Sequence, residues 1–296
     1  MRTHRRSRRL RATVPAVAAT GALACGTQLC GADGDPVQLR GMSSHGMQWY
    51  AQCVTGASLG ALATDWKANT VRISTYVQEG GYETDPEKFN PGDPAHNTER
   101  AKTFFSAIAD KYAGAGNVIY EIANEPHGVS WHTIKDYAET IIPVIRERDP
   151  DSVVLVGTRG WSSLGQAEGA TEQEIVDSPV AAKNIMYTYH FYAATHGQNY
   201  LRTLERAAAR LPLFVSEFGL DEASGDGAND LPMGRKYLDL MAREKIGWTA
   251  WNYSDDAQSS AVFKPGTCAS GDFAGDSSLK ESGTFLRDRM RTEATG

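Results

Sequence analysis

Val118-Ile119-Tyr120-Glu121-Ile122-Ala123-Asn124-Glu125-Pro126 is a largely apolar run that ends on a carboxylate and a proline. β-Branched and aromatic residues fill its opening positions, which predicts a strand, and Pro126 cannot continue one inside a sheet. Leu213-Phe214-Val215-Ser216-Glu217-Phe218-Gly219 has the same construction, again with a glutamate near its end. Outward from these two, further β-rich segments fall at 37–42, 71–76, 153–157, 185–192 and 248–253. Val153-Val154-Leu155-Val156 is apolar without alternation, which suits a strand buried on both faces of a parallel sheet. Helical spacing fills the intervals: Ile134, Ala138, Ile141 and Ile145 share one face, as do Leu201, Leu204, Ala208 and Leu211, and Met233, Tyr237, Leu240 and Met241. Strands alternating with helices imply βαβ units and one α/β domain.

Two architectures have this alternation. A doubly wound nucleotide-binding sheet needs a glycine-rich phosphate loop after an early strand, and neither G-x-G-x-x-G nor G-x-x-x-x-G-K-[ST] occurs. A TIM-type (β/α) barrel instead collects its chemistry at the C-terminal ends of several strands. Polar residues gather at those ends here: 43–45, 72–76, Asn124 and Glu125, 190–192, Glu217, and Trp251 with Asn252. The barrel is therefore the expected fold, with one departure. Predicted strand starts lie 28 to 35 residues apart except between 71 and 118, where the interval is 47. That is too long for one β/α unit and too short for two. Seven strands are predicted where a closed barrel has eight.

The chain has 296 residues and a net charge of −6, with 41% hydrophobic and 22% charged residues. These are globular values that exclude a disordered or fibrous chain. The acidic balance argues against nucleic acid as partner, and no run of about 18 apolar residues exists to span a membrane. Arg2, Arg5, Arg6, Arg8, Arg9 and Arg11 precede a short small-residue apolar stretch ending Ala22-Leu23-Ala24. Residues 1–24 thus read as a secretory leader, with either Sec or twin-arginine export, and 25–296 as one catalytic barrel in a secreted, extracellular protein. Four cysteines fit export. Cys25 with Cys30 as a local bridge and Cys53 with Cys268 as a long-range staple is the expected pairing among three arrangements. No metal is expected, since C-x-x-C is absent and the seven histidines are scattered.

A lone glutamate at a strand end is ordinarily a solvated or ion-paired carboxylate. Two converging on one barrel mouth, among aromatic residues and histidines, suit glycoside hydrolysis, in which one carboxyl protonates the leaving oxygen and the other attacks the anomeric carbon or activates water. Trp49, Trp251, Tyr76 and Tyr192 offer flat faces for sugar rings, while Trp66 and Trp248 read as core. His45, Arg72 and His190 are placed to orient carboxylates or bind hydroxyls, and Asn124 to bond a sugar 2-hydroxyl. Gly56-Ala57-Ser58-Leu59-Gly60 matches the G-x-S-x-G nucleophile elbow as text, but no buried strand leads into it.

The motifs in combination resemble glycoside hydrolase family 5, the cellulase family A, and among its members the secreted bacterial endo-β-1,4-glucanases. Residues 39–49 (Leu-Arg-Gly-Met-Ser-Ser-His-Gly-Met-Gln-Trp) and 119–126 carry the likeness, together with 190–197 (His-Phe-Tyr-Ala-Ala-Thr-His-Gly) and 215–219. The resemblance runs from about Cys25 to the C-terminus. It implies a retaining mechanism with Glu125 as general acid/base and Glu217 as nucleophile. His45, Arg72, Asn124, His190 and Tyr192 would be partners and Trp251 a stacking platform, with no cofactor. It also implies a strand ending in Asp-Trp-His that this chain lacks, because the sequence passes from Tyr82-Glu83-Thr84-Asp85-Pro86 to Pro91-Gly92-Asp93-Pro94 without it. The junction falls near 86–91, where the spacing is anomalous. A seven-strand barrel closed by setting 71–76 beside 118–123 is one expectation. The functional expectation is a monomeric endo-β-1,4-glucanase acting on β-glucan. A polysaccharide-binding remnant without activity, and a mannanase or xylanase with the same two glutamates, are the alternatives.

Overall fold

In a computed structural model, residues 21–75 and 92–293 are described. A short antiparallel hairpin, β1 (Leu23–Cys25) and β2 (Gln28–Cys30), opens this part of the chain and holds the Cys25–Cys30 disulfide. Most of the expected leader lies outside the described residues, and its last two positions, Leu23 and Ala24, form part of β1.

Seven parallel strands follow: β3 (Arg40–Ser43), β4 (Thr70–Arg72), β5 (Ile119–Glu121), β6 (Val153–Val156), β7 (Ile185–Tyr192), β8 (Leu213–Gly219) and β9 (Gly247–Trp251). They form one sheet in the order β4-β3-β9-β8-β7-β6-β5, the wrapped order of a TIM-type barrel with one strand fewer than eight. Helices Trp131–Arg146, Gln198–Ala208 and Leu231–Glu244 occupy the intervals where apolar spacing predicts them. Their starts follow from local chemistry, since the Ser130 and Asp230 side chains accept the backbone N–H of Thr133 and Met233. Gly56–Thr64, the G-x-S-x-G stretch, is a helix capped by Thr55 and not a strand-to-helix elbow.

The apolar run of β6 is explained by its two buried faces. Val153 and Leu155 join Leu29, Leu39, Met186 and Phe214 in an inner cluster, while Val154 and Val156 join the larger core beneath the helices. Trp66 and Trp248 are fully buried in that larger core. Cys53 is bonded to Cys268, tying the segment after Trp49 to the C-terminal part of the chain.

The expected closure is not made among the described residues. Among the described residues β4 pairs only with β3, and β5 only with β6. The helix Thr98–Tyr112 packs Ala101, Phe105 and Ala109 into the core and lies against the helix Trp131–Arg146, and the two sheet edges are not in hydrogen-bonding register among the described residues. A crossover packs a helix through its apolar face, and ladder pairing additionally requires the two strands to lie within one strand spacing, about 4.8 Å. Between the edges runs a cleft of about 790 Å³ that extends from Val71, Ile73 and Tyr112 to Glu125 and Glu217.

Candidate active site

Glu217 stands on β8 and is 6% exposed. Its position depends on a change of register. Thr188 faces Phe214 across the β7–β8 ladder, but His190 faces Glu217, so β8 holds one residue more than its partner in this interval. Such a bulge re-aims side chains. Here the successive residues Ser216 and Glu217 both engage groups of the barrel mouth, where a regular strand would send them to opposite faces. Glu217 Oε1 accepts the Tyr192 hydroxyl at 2.8 Å, and Oε2 accepts Arg72 Nη1 at 2.9 Å. Gly219 makes room for this arrangement, because a Cβ there would collide with the Tyr192 ring and the Asp221 carboxylate.

Glu125 follows β5 and meets His190 Nδ1 through Oε1 at 2.9 Å. One oxygen of each glutamate and a ring nitrogen of His190 all lie within 4.8 Å of one another. Burial and the neighbouring Glu125 charge push the Glu217 carboxyl above its ordinary range, against the pull of His190, Arg72 and the Tyr192 hydroxyl. Glu217, with a guanidinium and a hydroxyl donating to it, is the one equipped to carry the charge.

Arg72 joins the flanks. Its Nε donates to Glu121 Oε2 at 2.6 Å, Nη2 to Glu121 Oε1 at 3.3 Å and to Asn124 Oδ1, and Nη1 to Glu217. Burial disfavours the Arg72 cation, but Glu121 and Glu217 outweigh it and hold the guanidinium firmly charged. With its oxygen engaged by Arg72, Asn124 has its NH₂ left as a donor. The Tyr192 phenol is raised well above its usual value by burial and by Glu217, so it remains a donor.

His45 sits in an aromatic corner, with ring centroids 4.6 Å from Tyr50, 5.1 Å from Trp251 and 5.9 Å from Trp49. Its Nδ1 accepts the Gly46 N–H and its Nε2 faces Asp256 at 3.5 Å. Burial lowers the His45 pKa despite Asp256, so the ring is neutral near pH 7. Trp49 is 43% exposed, as a stacking surface requires. Tyr76 lies outside the described residues, as does the 86–91 junction. The structure therefore brings together Arg72, Asn124, Glu125, His190, Tyr192 and Glu217, with His45, Trp49 and Trp251 forming an adjoining wall.

Sequence reasoning passes over three features. Glu121 and Ser216 touch the site from below, and their signal was a polar side chain inside an otherwise apolar strand. Trp161, 46% exposed, stacks on His127 at 4.5 Å with planes 10° apart. It reaches that position through positive φ angles in the 160–162 turn, which no local pattern announces. As to metal-binding geometry, the donor atoms of Glu125, His190 and Glu217 converge closely, as do those of Cys53, Asp255 and Cys268, where the two sulfurs are already joined.

Known proteins similar to this chain identify its family. Endoglucanase E-5 of Thermobifida fusca is 56% identical over 293 residues, covering 90% of this chain and 63% of that protein. Endoglucanase CelA of Streptomyces lividans is 48% identical over 293 residues, with the same coverage of 90% and 63%. The chain thus spans about three fifths of the length of these curated relatives. The solved catalytic domain of the Thermobifida fusca endoglucanase, in complex with cellotetraose, superposes with a TM-score of 0.88 at 54% identity, covering 92% of this chain and 98% of that one. A family model described as cellulase (glycosyl hydrolase family 5) matches in two pieces, residues 30–90 and 82–257, whose join falls where the strand spacing is anomalous. With a match over most of its length and with relatives this similar, the chain belongs to glycosyl hydrolase family 5.

Proposed function

We propose that this chain is an endo-β-1,4-glucanase that cleaves internal bonds of cellulose or soluble β-glucan with retention of configuration. The observation that carries the reading is the approach of Glu125 and Glu217, whose carboxylate oxygens lie within 4.8 Å. Retaining enzymes hold their carboxyl groups about 5–5.5 Å apart, and inverting ones about 6.5–9.5 Å to admit a water. In the first step Glu217 attacks the anomeric carbon and Glu125 gives its proton to the leaving glycosidic oxygen. In the second, Glu125 takes a proton from water, which displaces Glu217 and frees the sugar. Arg72 and Tyr192 hold Glu217 as an anion aimed at the substrate, and His190 orients Glu125. The Asn124 amide meets the 2-hydroxyl, while Trp49 and Trp251 stack on sugar rings beside His45. No cofactor takes part. The relatives named as endoglucanases and the cellotetraose bound to the Thermobifida fusca domain support glucan over mannan or xylan. The arginine-rich start and the disulfides support a leader and extracellular action.

The test is reducing-sugar release from carboxymethyl cellulose by the parent chain and Glu217→Gln, with the anomer of the first product read by NMR. Activity in the parent alone, with a β-product, is expected. Equal turnover by Glu217→Gln would remove Glu217 as nucleophile. Glucan binding without release by the parent would make the chain a binding remnant.

A further inference from the structure

A continuous hydrogen-bonded path runs beneath the two glutamates, and its centre is a carboxylate given no role above. Glu125 Oε1 meets His190 Nδ1 at 2.9 Å, and His190 Nε2 meets Ser216 Oγ at 2.8 Å. Ser216 Oγ donates to Glu121 Oε1 at 2.7 Å. Both Glu121 oxygens accept from Arg72, which in turn donates to Glu217 Oε2. His190 and Ser216 are 2% and 1% exposed, so water does not compete for these bonds.

Counting protons along the path gives it a direction. A serine hydroxyl has one hydrogen, and Glu121, gripped through both oxygens by a guanidinium, is an acceptor. Ser216 spends its hydrogen on Glu121 and so can only accept from His190, which places a hydrogen on Nε2. Neutral His190 therefore presents a bare Nδ1 to Glu125. The contact between Nδ1 and Oε1 then requires a proton, carried either by Glu125 or by the imidazolium. We propose that Glu121 is a positioning residue that acts through Ser216 to set the His190 tautomer, keeping a proton on the Glu125–His190 pair. Its other contacts turn Arg72 toward Glu217. One half-buried carboxylate thereby prepares both members of the catalytic pair, a proton at Glu125 and a charge at Glu217. This rests on the assignment of Glu125 as acid/base and Glu217 as nucleophile.

The groups that face His190 and Glu125 are Glu121 from β5, Ser216 and Glu217 from β8, Tyr192 and His196 from β7 and the turn after it, and Arg72 through its two carboxylate partners. Ser216→Ala removes the hydroxyl that joins His190 to Glu121 and leaves the pairing of Glu121 with Arg72. In that variant kcat is expected to fall at least about tenfold with KM nearly unchanged, by analogy with the cost of a wrong tautomer in a serine protease triad. The basic limb of the pH profile should move to lower pH as the Glu125–His190 proton is held less firmly. Ser216→Thr, which keeps the hydroxyl, should recover activity. The readout independent of turnover is ¹⁵N NMR of histidine-labelled protein, with His190 identified by its loss in His190→Gln. The parent should show Nε2–H and bare Nδ1 for the neutral ring, and Ser216→Ala a mixture of tautomers. Glu121→Gln provides the same NMR test from the other end if Ser216→Ala does not fold. An unchanged nitrogen pattern in these variants, or an Nδ1–H tautomer in the parent, would overturn the proposal. A parent that releases no sugar but shows the expected nitrogen pattern would defeat the functional reading and leave the tautomer lock standing.

Discussion

β7 and β8 run for eight and seven residues with every position buried, whereas β4 and β5 are three residues long, and β4 contains exposed Val71 with exposed Ile73 just after it. Both flanks nevertheless deliver groups to the candidate site. On the buried flank, backbone ladders and packing on two faces hold His190, Tyr192 and Glu217. On the open flank no ladder joins β4 to β5 among the described residues, and the connection is made by side chains. Arg72 on β4 reaches Glu121 on β5 and Asn124 beyond it. A site can thus span a break in its sheet when a charged, multiply bonded side chain does what backbone pairing does elsewhere. That substitute is brittle, because removing one member leaves buried charges unpaired.

The largest expected effect follows from that brittleness. Arg72→Met strips the guanidinium from Glu121 and Glu217, and a loss of about 3–5 kcal/mol is expected in chemical denaturation. Activity should fall by a hundredfold or more. An unfolding midpoint equal to the parent's would show that the flanks do not depend on the bridge. A comparable loss of about 3–5 kcal/mol is expected on the buried flank from Phe191→Ala. That ring is fully buried and stacked on Tyr237 at 3.6 Å and on Phe218 at 4.9 Å. Its cost should appear as lost packing, with the pH dependence of activity retained.

Asp221 gives a smaller and pH-specific test of the same flank. Burial pushes its carboxyl up to about 6, with Asp226 and Glu222 adding to the effect against its hydrogen bonds, and its Oδ1 has no hydrogen-bond partner. A folded pKa above the unfolded value of about 3.9 means a stabilising contribution present below about pH 4 and lost as pH rises through about 6. Asp221→Asn should therefore raise stability above pH 6 by on the order of 1–3 kcal/mol relative to its effect at pH 3 to 4. Thermal unfolding across pH 3 to 8 measures this, and a difference independent of pH would reject the assignment. The smallest effect belongs to the open edge. Ile73 is 46% exposed, so Ile73→Thr should change stability by no more than about 0.5 kcal/mol while reducing light scattering on heating, because an unpaired apolar edge invites association. A large stability loss would mean that this edge is covered.

Much of this was legible along the chain. Strands at 153–156 and 185–192 are apolar because both of their faces are buried, and helices such as Trp131–Arg146 show one apolar stripe because one face is. Glu125 and Glu217 are legible because each ends an apolar run, and the 47-residue interval marks the missing unit. These are signals of local period and order, which the sequence carries directly. What only tertiary structure decided depends on register and on distances between remote segments. The bulge that turns Ser216 and Glu217 to the same mouth arises from pairing with β7, and whether β4 meets β5 depends on how far apart the packed sheet holds them. Glu121 reads as one polar residue in a strand until Arg72 and Ser216, 49 and 95 positions away, are brought against it. Side-chain period fixes which residues face inward, but only the packed sheet determines what they meet there.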